Sequence, residues 1–226
     1  DGFSESTMND LSSKAWQWIS EECEAAGKLK AIHCLENEGY RDRSLEIEGI
    51  GDLARALKHY DPDLIVHLTV ANEEEIALLA DSGKTAVLNP RANGNLGLPV
   101  PPVAALVDAG VNLLLGTDNG LLNSPNMLAE LDYAFKLCKS QYGDSLRPDP
   151  ACILKMATTN AGTFLGGDHA GYLDEGLPAS FAAWDFSQSH LRASRHVVAS
   201  LVSRVTPAEC LMTAREGKEL YRDVSF

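Results

Sequence analysis

The sequence predicts an α/β protein in which helices cover a parallel β-sheet. Helical and strand-like segments alternate along most of the chain, and the strand-like segments are short and apolar on both faces. Such strands are typical of a sheet that is buried on both sides. The pattern fits either a doubly wound sheet or part of a (β/α)8 barrel. No G-x-G-x-x-G or G-x-x-x-x-G-K-[ST] loop follows the first predicted strand, which disfavours a nucleotide-binding doubly wound sheet.

Apolar periodicity and capping residues indicate the helices. A helix is expected over residues 7–26, because Leu11, Ala15 and Trp18 recur at helical spacing. Asn72 is expected to cap a helix over residues 72–81 that has three glutamates in its first turn. Further helices are expected over residues 48–60, 100–109, 124–142 and 149–159.

Apolar runs between these helices predict the strands. They lie at residues 28–35, 63–69, 85–89 and 111–117. Beyond residue 168 the pattern changes, since glycine and proline separate short strand-like pieces. These pieces lie at residues 181–186, 209–213 and 219–222, with a helix expected over 196–204. We therefore expect an α/β domain over residues 1–168 and a small β segment over residues 169–226.

Composition limits the classes of partner. The chain has 226 residues, with 19 Lys and Arg against 32 Asp and Glu, and a net charge of −13. So acidic a chain is poorly suited to bind nucleic acid or an anionic membrane by electrostatics. No apolar run approaches the ~20 residues that a membrane helix needs. Five widely spaced cysteines predict neither disulfides nor a Cys-type zinc site, and cytoplasmic reduced thiols are the simple interpretation.

Ionisable residues stand at the ends of three predicted strands. The first strand carries His33 with Glu36 just after it, the second carries His67, and Asp118 follows the fourth. The carboxyl ends of parallel strands share one edge, so these side chains are expected to converge. Imidazole and carboxylate together suit zinc and similar divalent metals. Taken singly, each histidine could be a hydrogen-bonded structural residue, and Asp118 could cap a turn.

Five short motifs follow one another in an order that resembles the amidohydrolase superfamily. They are His33-Cys-Leu-Glu36, Val66-His67-Leu-Thr69, Leu88-Asn-Pro-Arg-Ala-Asn93, Leu115-Gly-Thr-Asp118 and Asn126-Met-Leu-Ala-Glu130. The branch that it resembles most contains cytosine deaminases, chlorohydrolases and deaminases of adenosine derivatives. The resemblance implies the C-terminal part of a (β/α)8 TIM barrel, strands five to eight, followed by part of a small β-sandwich.

The resemblance also implies a role for each candidate residue. His33 and Asp118 would bind a divalent metal, zinc or alternatively iron, and Asp118 would act as base. Glu36 would move protons, while His67 would polarise the substrate or orient the attacking water. Asn93 would line the pocket, so that Asn93, Glu36 and His67 contact the substrate. The implied activity is metal-dependent hydrolysis of a C–N bond, foremost deamination of an aminated heterocycle such as a purine, pyrimidine or nucleoside.

Two other enzyme activities and one non-catalytic role stay open. The resemblance also covers ring-amide hydrolases of the imidazolonepropionase kind and chlorohydrolases. The family's His-x-His metal pair is absent from this sequence, and residues 1–3 are expected to lie just past the fourth barrel strand. A non-catalytic half-barrel that completes a partner chain is therefore the alternative. The expected partners are a small-molecule substrate, without nucleic acid or membrane, and either a second copy in a homodimer or the missing N-terminal half of the barrel.

Overall fold

The computed structural model describes residues 2–166 and 171–224. The chain divides into two compact units, Asp1–Pro125 and Asn126–Phe226. The expected boundary between residues 168 and 169 lies outside the described residues and stays a prediction.

The first unit contains a parallel sheet of five strands. Its strands are β1 (Gly2–Glu5), β2 (Leu29–Cys34), β3 (Leu64–His67), β4 (Thr85–Leu88) and β5 (Asn112–Leu115). They are ordered β1-β2-β3-β4-β5, and every neighbouring pair is parallel. The register pairs Cys34 with His67 and Leu88 with Leu115, so the carboxyl ends of these strands lie along one edge.

Helices alternate with the strands of this sheet. They are α1 (Ser13–Ala25), α2 (Glu38–Glu48), α3 (Asp52–His59), α4 (Glu73–Ser82), α5 (Pro90–Asn95) and α6 (Val103–Asp108). The predicted cap of α4 is confirmed, because the Asn72 side chain accepts from the backbone N–H of Glu75 in a capping box. The helix expected from residue 7 begins later, since Ser12 caps α1 by accepting from the N–H of Ala15.

Three features of the first unit differ from the sequence-based expectation. Helix α2 was not predicted, because its sequence is strongly polar and buries only Ser44 fully. It ends at Gly49, whose φ of +73° stops the helix, so that α3 starts separately at Asp52. The third difference is α5, a short helix after β4 that was not predicted.

The sequence had suggested that residues 1–3 lie just past a strand. In the structure, residues 2–5 instead form strand β1. Strand β1 pairs with β2 from Gly2 opposite Leu29 to Glu5 opposite Ile32. A Cβ atom at Gly2 would lie 2.3 Å from the carbonyl oxygen of Leu29, so the close approach of the two strands requires glycine. The described parallel sheet therefore has five strands where four were expected.

The second unit combines helices with a small antiparallel sheet. The helices are α7 (Met127–Tyr142), α8 (Pro150–Met156), α9 (Thr159–Leu165) and α10 (Val197–Ser203). The sheet has the order β6 (Phe181–Trp184), β7 (Cys210–Arg215) and β8 (Lys218–Arg222). All three strands and the helix before β7 were predicted. The helix expected over residues 149–159 is interrupted at Ala157, where α8 ends.

The apolar core of the first unit combines residues of the sheet with residues of the helices. Ile32, Ile65 and Leu88 are fully buried on the strands, and Trp16 and Leu79 are fully buried on α1 and α4. No disulfide joins any of the five cysteines, all of which lie in the described part of the chain. Among the described residues, none of the helices has both the length and the apolar character that a membrane crossing requires.

Candidate active site

Two histidines meet at the carboxyl edge of the parallel sheet. His33 lies on β2 and His67 is the last residue of β3. The parallel register brings the two strand ends together, and His67 Nε2 lies 3.1 Å from His33 Nδ1. The two rings meet edge to face, with their centroids 4.6 Å apart. Residues 34 positions apart in sequence are thus in direct contact.

The carboxylate of Glu36 faces both imidazoles. Its Oε2 lies 3.7 Å from His33 Nδ1, and its Oε1 lies 3.8 Å from His67 Nε2. The interaction with His33 holds the pKa of the Glu36 carboxyl below its ordinary value, although burial opposes this effect. Burial lowers the pKa of the His67 imidazole, and the Glu36 charge counteracts part of that change. The cluster therefore favours an ionised Glu36 beside a neutral His67.

The same three side chains offer a donor set for a metal ion. One ligand atom from each of His33, Glu36 and His67 lies within 4.8 Å of the other two, the only such group in residues 2–166 and 171–224. Two imidazoles and one carboxylate are a donor set that suits zinc. The residues present thus fit a divalent metal.

Asp118 stands on the loop after β5 and is half-buried. Its Oδ1 accepts a hydrogen bond of 2.8 Å from the backbone N–H of Asn119. Its negative charge acts on His67, whose pKa it raises slightly against the effect of burial. Asp118 does not belong to the 4.8 Å donor group of the described residues, and its role as a metal ligand and base stays a prediction.

Asn93 lies on α5 and is completely buried. Its Oδ1 is 3.3 Å from His67 Nδ1, on the side of the ring that faces away from His33. Its Nδ2 makes no hydrogen bond within the described part of the chain. The predicted contact of Asn93 with a substrate is not tested by this geometry, which instead joins Asn93 to a candidate catalytic histidine.

Left-handed backbone marks the strand ends that carry these residues. Leu35, His67, Leu68 and Asp118 have φ angles of +54°, +81°, +58° and +58°. Residues other than glycine seldom adopt such angles, and they persist only where surrounding contacts hold them. At His67 and Leu68 the two successive positive angles turn the chain sharply at the end of β3.

Two buried residues that sequence analysis missed hold the turn that carries Glu36. Asp52 accepts the backbone N–H of Leu35 at 2.7 Å, and Thr69 donates its hydroxyl to the Leu35 carbonyl at 3.0 Å. Burial raises the pKa of the Asp52 carboxyl. Thr69 ends the predicted strand over residues 63–69, and a polar residue at that place was a usable signal. Nothing local in the sequence indicates the role of Asp52.

Asn89 and Gly116 join the ends of β4 and β5. The Asn89 side-chain amide donates to the carbonyl oxygens of Gly116 at 3.1 Å and Leu88 at 3.2 Å. A Cβ atom at Gly116 would lie 2.5 Å from the end of the Asn89 side chain, so this contact requires glycine. The pair holds the start of the loop that carries Asp118.

The Amidohydrolase family matches residues 2–219. The chain belongs to the amidohydrolase family. The resemblance of the strand-end motifs to this superfamily is thereby confirmed. Among amidohydrolases, the chain is 41% identical over 182 residues to a protein of Methanothermobacter thermautotrophicus that carries only a provisional aminohydrolase name; the match covers 79% of this chain and 45% of that protein.

Other relatives carry more specific names. The chain is 35% identical over 207 residues to a 5-methylthioadenosine/S-adenosylhomocysteine deaminase of Thermococcus onnurineus, a match that covers 87% of the chain and 47% of that protein. Among solved structures, an adenosine deaminase from Xanthomonas campestris with bound zinc superposes with a TM-score of 0.90 at 26% identity. The alignment covers 96% of this chain and 51% of that one. The chain thus spans about half the length of the relatives it matches.

More distant structures show the same fold. A guanine deaminase from C. acetobutylicum superposes with a TM-score of 0.78 at 19% identity, over 93% of this chain and 53% of that one. This similarity, together with the parallel and antiparallel sheets, confirms an α/β architecture of the amidohydrolase type.

Proposed function

We propose that the protein is a metal-dependent hydrolase that deaminates an aminated heterocycle of the purine, pyrimidine or nucleoside type. The observation that carries the proposal is the Glu36 carboxylate, 3.7 Å from one strand-end imidazole and 3.8 Å from the other. The names of the relatives support it, since the Thermococcus onnurineus protein is named a deaminase and the Xanthomonas campestris structure is an adenosine deaminase with zinc.

In this proposal His33 and Asp118 are protein ligands of a zinc ion. Bound zinc supplies Lewis acidity, which lowers the pKa of water from about 15.7 toward 7. The carboxylate of Asp118 is the base that accepts the proton from the attacking water. Neutral His67 lies beside Glu36. When substrate binds, its Nε2 atom would exchange the His33 contact for a hydrogen bond that either holds the heterocycle or orients the water.

In this proposal Glu36 protonates the leaving group. An amine anion cannot depart at neutral pH, so the departing nitrogen must be protonated first. The Glu36 carboxyl, whose pKa lies below its ordinary value, is ionised near neutrality. It can accept the second proton of the attacking water and pass it to the departing nitrogen. Proton transfer by a positioned side chain typically contributes about 10²–10⁴-fold to the rate.

We further propose that the five parallel strands belong to a (β/α)8 barrel, with β2 to β5 as strands five to eight and β1 as strand four. The match to about half of the Xanthomonas campestris chain supports this assignment. The other strands would come from the remainder of the same protein or from a partner chain. A homodimer and a location in the cytoplasm are the accompanying proposals.

Glu36→Gln tests the proposed function in the complete, zinc-loaded protein. Ammonia release is measured with 5′-methylthioadenosine, adenosine, guanine and cytosine as separate substrates. We expect turnover of the accepted substrate to fall at least about 100-fold in the variant. Glu38→Gln is the matched control, because Glu38 is a nearby exposed carboxylate paired with Arg41, and its turnover should stay near wild type. Unchanged turnover in Glu36→Gln would exclude Glu36 from the mechanism.

A further inference from the structure

Three side chains form a continuous row that ends at the metal-ligand candidate. Asn93 Oδ1 lies 3.3 Å from His67 Nδ1, and His67 Nε2 lies 3.1 Å from His33 Nδ1. Asn93 and His67 are 0% and 1% exposed, so bulk water does not compete for the contact between them. Each nitrogen of the His67 ring thus has one neighbour at hydrogen-bond distance, while the Glu36 carboxylate lies farther from Nε2, at 3.8 Å.

The chemistry of these atoms decides where the protons lie. An amide oxygen only accepts hydrogen bonds, so His67 must donate from Nδ1 to Asn93. The neutral His67 imidazole then has its lone pair on Nε2, which accepts a hydrogen bond. His33 must therefore donate from Nδ1, and its own lone pair lies on Nε2.

We propose that Asn93 is a positioning residue that sets the tautomers of His67 and His33 through this row of hydrogen bonds. Asn93 reaches its place because Pro90 begins α5 directly after β4 and the Asn93 N–H donates to the Asn89 carbonyl at 3.0 Å.

The consequence for metal binding rests on the proposed function. A histidine binds a divalent ion through an unprotonated ring nitrogen, and a hydrogen bond at its other nitrogen determines which one is free. Asn93, which touches neither the ion nor His33 directly, thus prepares His33 Nε2 as a ligand. Loss of the group bonded directly to a ligating histidine, here His67, typically costs about 10- to 100-fold in metal affinity, and this range is the upper bound for the loss of Asn93.

Nitrogen NMR of the histidine rings tests the proposal directly. The complete protein is labelled with ¹⁵N-histidine, freed of metal with a chelator, and studied by two-bond ¹H–¹⁵N correlation. His33→Gln and His67→Gln samples assign the two rings. We expect both His67 and His33 to carry their proton on Nδ1.

Two substitutions at Asn93 then distinguish the effect of its hydrogen-bond acceptor from the effect of its packing. Asn93→Leu removes the acceptor at similar volume, and we expect His67 to lose its single tautomer and zinc affinity to fall by at most about 10- to 100-fold. Asn93→Asp keeps an acceptor in place, and Nδ1 of His67 should stay protonated. Asn95→Leu is the control, since Asn95 is on the same helix but bonds to Leu122 and Asn123 and should leave both rings unchanged.

Either of two NMR results would overturn the proposal. A wild-type His67 protonated on Nε2 would mean that Asn93 presents its Nδ2 to the ring, and an unchanged tautomer in Asn93→Leu would mean that Asn93 does not set it. Both measurements use metal-free protein and no substrate. Their outcomes therefore do not depend on the result of the deaminase assay with Glu36→Gln.

Discussion

The hydroxyl of Thr69 donates a hydrogen bond to the carbonyl oxygen of Leu35 at 3.0 Å, joining the end of β3 to the turn that follows β2. The same hydroxyl contacts the carbonyl of Glu36. Leu35 has a φ of +54°, so its turn depends on outside contacts to keep this conformation. The turn that carries Glu36 is thus held in part by a residue of the turn that follows the neighbouring strand.

Thr69→Val should therefore weaken both stability and turnover. Valine keeps the shape but not the hydroxyl, and we expect a loss of about 1 kcal/mol in the free energy of unfolding. Turnover should fall while the Michaelis constant changes less, because in the proposed mechanism Glu36 acts on the departing nitrogen. Thr163→Val is the control, since its hydroxyl bonds to the Thr159 carbonyl on an exposed helix face. Equal effects of the two variants in denaturation and activity assays would refute the special role of Thr69.

Gly116→Ala should destabilise the loop that carries Asp118. Its Cβ atom would lie 2.5 Å from the end of the Asn89 side chain, which is only 4% exposed. We expect a cost of about 1–3 kcal/mol in urea denaturation. Gly120→Ala should have little effect, because a Cβ atom there meets no atom within 4 Å. Combining Gly116→Ala with Asn89→Ala should recover part of the loss, and strictly additive losses would argue against the clash.

Glu48 should make the stability of the first unit depend on acid pH. Hydrogen bonds from Lys58, and then from Ser13 and His59, lower the pKa of its carboxyl from 4.5 to about 2. Its stabilising contribution is therefore complete above pH 4.5 and is lost as the pH falls from 4.5 toward 2. Thermal melts over this range should show a smaller decline for Glu48→Gln than for wild type.

A nearby carboxylate provides the control for that titration. Glu46 is on the same helix as Glu48 but forms only an exposed pair with Arg43. Exposed pairs contribute little to stability, so Glu46→Gln should follow the wild-type pH curve. If Glu46→Gln and Glu48→Gln flattened the curve equally, the Lys58, Ser13 and His59 contacts would not be its cause.

Zinc binding should depend on both predicted ligands, His33 and Asp118. We expect chelation of zinc to lower the melting temperature of the complete protein, and His33→Gln and Asp118→Asn each to weaken zinc binding in calorimetric titrations. His196→Gln changes an exposed histidine far along the sequence and should bind zinc as wild type does. Zinc affinity unaffected by Asp118→Asn would remove Asp118 from the ligand set.

Apolar periodicity in the sequence predicted most helices and strands but missed α2 and β1. The apolar runs around Ile32, Ile65 and Leu113 were recognisable because strands buried on both faces need continuous apolar residues. Helix α2 lacks an apolar stripe, and the sequence of β1, Gly-Phe-Ser-Glu, has no continuous apolar run. Both are held by neighbours distant in sequence, which a local pattern cannot reveal.

The sequence by itself determined the class of fold and the residues able to carry chemistry. Alternating helices and apolar strands require a covered parallel sheet, and in such a sheet His33 and His67 must lie at one edge. Only the tertiary structure decided that Asn93 reaches His67 Nδ1, that Thr69 and Asp52 hold the turn before Glu36, and that Asn89 needs Gly116. These contacts depend on strand register and on left-handed backbone at the strand ends, and both are set by packing across the whole sheet.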